Sequence, residues 1–205
     1  MTPEQYDGEA EAIGRALPAG PKVAVIGSGI FWGHDTDEIC TGIGVHLATI
    51  EDLVLITGGI SGVGEAVGRS FFLARNRSRL AANTYQVLPR GSDEWDYGVT
   101  VTGGETMEDR REILGRLSAV YIAVEGGPGT AHEARVAQAR GATIVPVART
   151  GGFSRELYAK IGCPSPRIAL QWHNPRNIPC RQKTAPRPLR NPVGGCSKRG
   201  THSTQ

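Results

Sequence analysis

Leu53-Val54-Leu55-Ile56-Thr57-Gly58-Gly59-Ile60-Ser61-Gly62-Val63-Gly64 reads as a buried strand that breaks on glycine and re-forms as a helix. Leu53 to Ile56 are continuously apolar, as a strand covered on both faces must be. Val63, Val67, Phe71 and Ala74 then recur at helical spacing and turn one stripe toward that strand. The pattern repeats on both sides. Lys22 to Ile26 runs into Gly27-Ser28-Gly29, and Asp35 or Thr36 caps a helix bearing Ile39, Ile43, Leu47 and Ile50. Tyr85 to Leu88 and Val99 to Val101 read as short strands, and a helix covers about Thr106 to Leu117. Ala119 to Val124 ends in Gly126-Gly127-Pro128-Gly129-Thr130, which opens a helix to Arg140, and Thr143 to Val147 is a further strand. At the front, Thr2-Pro3-Glu4-Gln5 has the form of a capping box, continued by Tyr6, Ala10, Ile13 and Leu17. Buried strands alternating with amphipathic helices predict a doubly wound α/β fold, a mainly parallel sheet with helices on both faces. Every glycine cluster falls where a strand ends and a helix begins, the edge at which such sheets bind ligands.

Composition narrows the function classes. Glycine supplies 28 of 205 residues, about twice the usual share, and its clustering points to backbone approaching a ligand. No apolar run reaches the ~18 residues of a membrane span, and the acidic first 18 residues lack the apolar core of a secretory signal. Four cysteines without a Cys-x-x-Cys pair fit a reducing compartment, so the expected location is cytoplasmic. Cys163, His173, Cys180, Cys196 and His202 lack the close pairing of a zinc module, and no metal site is expected. The net charge of +3 hides a division, because eight Lys and Arg and no acid follow Pro164. Residues 1–163 keep 15 of the 23 basic side chains against all 20 acidic ones, a net of −5. Such a body gives no reason to expect a nucleic-acid partner. Residues 1–163 read as one nucleotide-binding domain, and 164–205, with seven prolines and no periodicity, as a basic, disordered tail.

Three segments carry candidate chemistry. Gly27-Ser28-Gly29-Ile30-Phe31-Trp32-Gly33 has the wrong glycine spacing for a dinucleotide fingerprint, and no acid closes the second strand. Trp32 in that exposed loop has the flat surface to stack on a base. Gly126 to Thr130 presents unpaired backbone N–H groups at a helix start, a phosphate-binding arrangement without the lysine of a Walker loop. Glu133 has two readings there: a catalytic carboxylate, or the last member of a Thr130-x-x-Glu133 capping box. Arg110 falls in the middle of an apolar face formed by Met107, Ile113, Leu114 and Leu117, so its charge needs a partner, either a ligand or an internal ion pair. Arg111 lies about 100° round the same helix. His34 and His132 sit beside glycine loops without a nucleophile to serve.

Gly58-Gly59-Ile60-Ser61-Gly62-Val63-Gly64, Met107-Glu108-Asp109-Arg110-Arg111 and Gly126-Gly127-Pro128-Gly129-Thr130-Ala131-His132-Glu133, in that order, resemble the Lonely-Guy (LOG) family of Rossmann-like nucleotide-binding proteins, once misannotated as lysine decarboxylases. The resemblance runs from about Lys22 to Gly152. It implies hydrolysis of the N-glycosidic bond of a nucleoside 5′-monophosphate, with cytokinin-type substrates in the family, releasing base and ribose 5-phosphate. By position it makes Arg110 and Glu133 catalytic, with Arg111 and Met107 secondary. The expected phosphate and nucleotide contacts are Gly27, Ser28, Gly29, Gly58, Gly59, Gly62, Gly126, Gly127, Gly129 and Thr130. It implies no cofactor and a homodimer or larger homo-oligomer. Glu125 stands where the family has proline, and Arg111 replaces lysine. Gly-Pro-Gly-Thr-Ala and Thr150-Gly151-Gly152-Phe153 resemble equally the binding-only branches, the molybdenum-cofactor carriers and DprA-related proteins, which bind without turnover.

Overall fold

The structure, a computed structural model, describes residues 1–161. The expected tail, 164–205, lies outside the described residues. Six strands form one sheet in the order β4-β3-β2-β1-β5-β6: β1 (Lys22–Gly27), β2 (Val54–Thr57), β3 (Thr84–Leu88), β4 (Val99–Thr102), β5 (Val120–Val124) and β6 (Thr143–Val147). Every neighbouring pair is parallel. The sheet is therefore wholly rather than mainly parallel. Helices α1 (Pro3–Ala16), α2 (Thr36–Leu47), α3 (Val63–Arg77), α4 (Met107–Leu114), α5 (Pro128–Ala139) and α6 (Gly152–Ile161) cover it.

The central strands are buried because their side chains are apolar on both faces. One face joins Ala24, Ile26, Val54, Ile56, Tyr121 and Ala123 to Ile113, Leu114, Ala134 and Ala137 from α4 and α5. Burial of each such Leu or Ile contributes roughly 1.5–3 kcal/mol. At the N-terminus the expected capping box forms, with Thr2 and Gln5 each bonding the other's backbone N–H.

Several boundaries differ from the sequence reading. The helix expected to reach Leu117 ends at Leu114, with Gly115 as its C-cap. Asp35 occupies the N-cap of α2 without capping it, because its carboxylate pairs with Arg149 instead. Thr36 turns inward to a buried carboxylate. The last helix, α6, was not expected: it begins at the second glycine of the pair Gly151-Gly152, and the N–H groups of Phe153 and Ser154 bond back to Gly126 O and Glu125 O. No helix among the described residues is long and apolar enough to cross a membrane.

Candidate active site

The chain leaves β1 toward β2 and later returns on its other side to form β5, so the loops following β1 and β5 diverge at the carboxyl edge. A cleft of about 490 Å³ opens there. Gly27, Ser28, Gly29, Gly58, Arg110, Arg111, Gly127, Gly129, Thr130 and Glu133 all border it, which gathers most of the expected site. Gly59, Gly62, Gly126 and Met107 do not. Gly62 and Gly126 take φ of +76° and +96°, and a Cβ on either would strike backbone or Thr130, so they shape turns and do not face a ligand. Gly59 turns toward Leu88 and Gln86. Met107 begins α4, whose cleft-bordering residues are Arg110, Arg111 and Leu114.

Arg110 is only 3% exposed, as the helical wheel required. Its three guanidinium nitrogens are engaged by the protein: Nε donates to Val87 O at 3.0 Å, Nη1 to Glu133 Oε1 and Nη2 to Gly58 O. Gly58 must be glycine, since a Cβ would fall 1.5 Å from Nη2. Glu133 is 5% exposed. Burial pushes its carboxyl above the ordinary range, while Arg110 and Arg111 pull it back. Burial likewise lowers the pKa of Arg110, and the Glu133 charge opposes that shift. The capping-box reading of Glu133 fails on geometry. The N-cap of α5 is Gly127, so Thr130 and Glu133 are its third and sixth residues.

No side chain caps α5. The orphan N–H groups of its first turn therefore open at the wall of the cleft, at the positive end of the helix dipole. Arg111, half-buried and paired with Glu108 at 3.0 Å, lies against this turn: a Cβ on Gly129 would sit 3.1 Å from its Nε. The sequence wheel left Arg110 either a ligand or an internal ion pair as its partner. The structure commits Arg110 to protein partners and leaves Arg111 at the helix start.

Glu125 was visible in the sequence only as a departure from proline. It is fully buried and takes φ +52°, a conformation proline's ring forbids. Its carboxylate accepts from Ser28 Oγ, Thr36 Oγ1, Gly33 N at 2.8 Å and Trp32 N at 3.1 Å. Burial alone would raise its pKa, but these four donors hold it below the ordinary carboxylate range. Glu125 thus latches the loop that carries Ser28 and Trp32 into the cleft.

Solved structures share this architecture. TM1055 is 26% identical, with a TM-score of 0.55 over 68% of this chain and 81% of its own. The Moco carrier protein from Chlamydomonas reinhardtii is 22% identical, with a TM-score of 0.57 over 70% of this chain and 85% of its own. DNA processing protein A from Helicobacter pylori, described by its single-stranded DNA binding mode, is 15% identical, with a TM-score of 0.51 over 75% and 82%. The last two likenesses establish the fold alone. No curated protein matches the chain. The family model described as the SLOG cluster4 family matches residues 20–169, an interval that holds the whole sheet and every residue bordering the cleft. The chain belongs to the SLOG cluster4 family.

Proposed function

We propose that this protein is a cytoplasmic, self-associating nucleoside 5′-monophosphate phosphoribohydrolase, which releases a free base and ribose 5-phosphate. The observation that carries the reading is the buried Arg110–Glu133 pair on the wall of the cleft onto which α5 opens. A phosphate held at the first turn of α5, with Arg111 beside it, leaves the attached sugar within the cleft that Glu133 borders. Loss of the base makes the sugar oxocarbenium-like, and a carboxylate in a water-poor site stabilises that charge. Water adds at C1′ as the base departs with a proton. Arg110 touches no substrate in this scheme: it positions Glu133 and favours its ionised form.

One feature of the site favours a second reading. Because each nitrogen of Arg110 already has a protein partner, the pair equally suits a cleft that binds a nucleotide or a pterin phosphate without turnover. Incubating the protein with a panel of nucleoside 5′-monophosphates, and following free base by chromatography, separates the two. Base release from at least one member supports hydrolysis. Binding without release from any supports a carrier or sensor.

A further inference from the structure

Trp32 takes no part in the scheme above, yet it borders the same cleft. Its side chain is 53% exposed, in the loop 28–35 between β1 and α2. Solvent-exposed indole surface is unfavourable unless something covers it. The ring rests on bare backbone: a Cβ on Gly127 would sit 3.6 Å from it and one on Gly152 2.5 Å from it. Its backbone is fixed as well, since the Glu125 carboxylate holds Trp32 N–H and Gly33 N–H. The start of α5 is therefore flanked by Arg111 at Gly129 and by an indole at Gly127. An anion needs the helix start and the cation. It has no use for the indole. A flat, polarisable surface set beside an anion site suits a ligand that carries a planar ring close to its charged group.

We propose that Trp32 is a specificity-determining residue, the platform on which the ligand's heterocyclic base stacks, so that the cleft prefers a base-bearing phosphate ester to a bare sugar phosphate. The inference rests on the reading of the α5 helix start as the phosphate site. Glu125, through the Trp32 and Gly33 amides, is the positioning residue for the platform.

The test is calorimetric titration of the full chain with adenosine, guanosine, cytidine and uridine 5′-monophosphates and with ribose 5-phosphate. A Glu133→Gln background keeps the nucleotides from being consumed, and the wild-type protein is titrated with ribose 5-phosphate as the reference. Trp32→Ala is expected to weaken the tightest nucleotide roughly 10- to 100-fold while changing ribose 5-phosphate by less than about twofold. Trp32→Phe, which keeps a π face, should retain most of the affinity. If Trp32→Ala weakens both ligands equally, or neither, the platform is overturned and the phosphate site stands. If no nucleotide and no ribose 5-phosphate binds at all, the phosphate reading fails and the platform falls with it.

Discussion

A carboxylate and a guanidinium removed from water together tolerate each other's burial, but neither tolerates being left alone. Arg110→Ala leaves Glu133 buried and unpaired, and a loss of roughly 3–5 kcal/mol in urea denaturation is expected. The loss should be largest near neutral pH. It should shrink on acidification, because a protonated Glu133 needs no cation. The same burial sets a sign for activity. Glu133 has its pKa raised above the ordinary 4.5, so the acid limb of the rate profile should lie above that value, with turnover failing as pH falls through it. Glu133→Gln removes the anion at every pH, and turnover should drop by about 10²–10³-fold or more while nucleotide binding survives. A profile in the Gln variant identical to wild type would assign the acid limb to another group. The wheel of α4 made the burial of Arg110 legible from sequence, since a 3.6-residue period needs only local information. Glu133 was within reach only through the family resemblance, and Val87 and Gly58 were not legible, because all three come from other segments.

Glu125 shows what the same limit means for a whole element. The donors it satisfies lie 89 to 97 residues away, so nothing in its neighbourhood in the chain marks it as a latch. Of the donors in residues 28–36, Ser28 Oγ, Trp32 N, Gly33 N and Thr36 Oγ1 all converge on that carboxylate. Glu125→Ala should cost at least about 2 kcal/mol, since several donors lose their acceptor together, and should speed amide exchange at Trp32 and Gly33. Unchanged exchange there would show that the loop holds without the latch. The docking of α1 on α4 makes a related prediction. Tyr6 Oη donates to Asp109 Oδ1 at 2.8 Å, and Thr106 donates to Asp109 Oδ2, within the cap of α4. The Tyr6 bond first, then Thr106, hold the Asp109 pKa down at about 2, while the tyrosine is pushed up to about 12. A depressed carboxylate stabilises the fold above its ordinary value, near 3.8, and loses that contribution as pH falls toward about 2. Tyr6→Phe should therefore make acid unfolding begin at higher pH, with circular dichroism as the readout. The capping box of α1 and the positions of the strands could be read along the chain, because they rest on neighbours three residues apart and on continuous apolar runs. Helix α6 could not, since its start depends on carbonyls of residues 125 and 126 in the next loop over.

At the scale of the molecule, charge bears on the choice of ligand. Residues 1–163 carry a net charge of −5, and the cleft gathers its cations, Arg110 and Arg111, onto one helix. A body of that sign repels an extended polyphosphate backbone, whereas a single phosphate ester meets only the local field of the α5 helix start and Arg111. Self-association would leave the cleft open if it used α2 and α3, whose Val45 and Leu73 are exposed, and light scattering is expected to report a dimer or larger species. Binding should then appear as stability. A nucleoside 5′-monophosphate at about 100 times its Kd should add about 2.7 kcal/mol to the native state, which for a chain of this size raises Tm by roughly 5–10 °C. A single-stranded oligonucleotide at ~0.15 M salt should neither reproduce that shift nor displace the monophosphate, and any association through the eight basic residues after Pro164 should vanish as salt rises. An oligonucleotide that raises Tm and competes with the monophosphate would assign the cleft to nucleic acid, since competition requires the two ligands to share the start of α5.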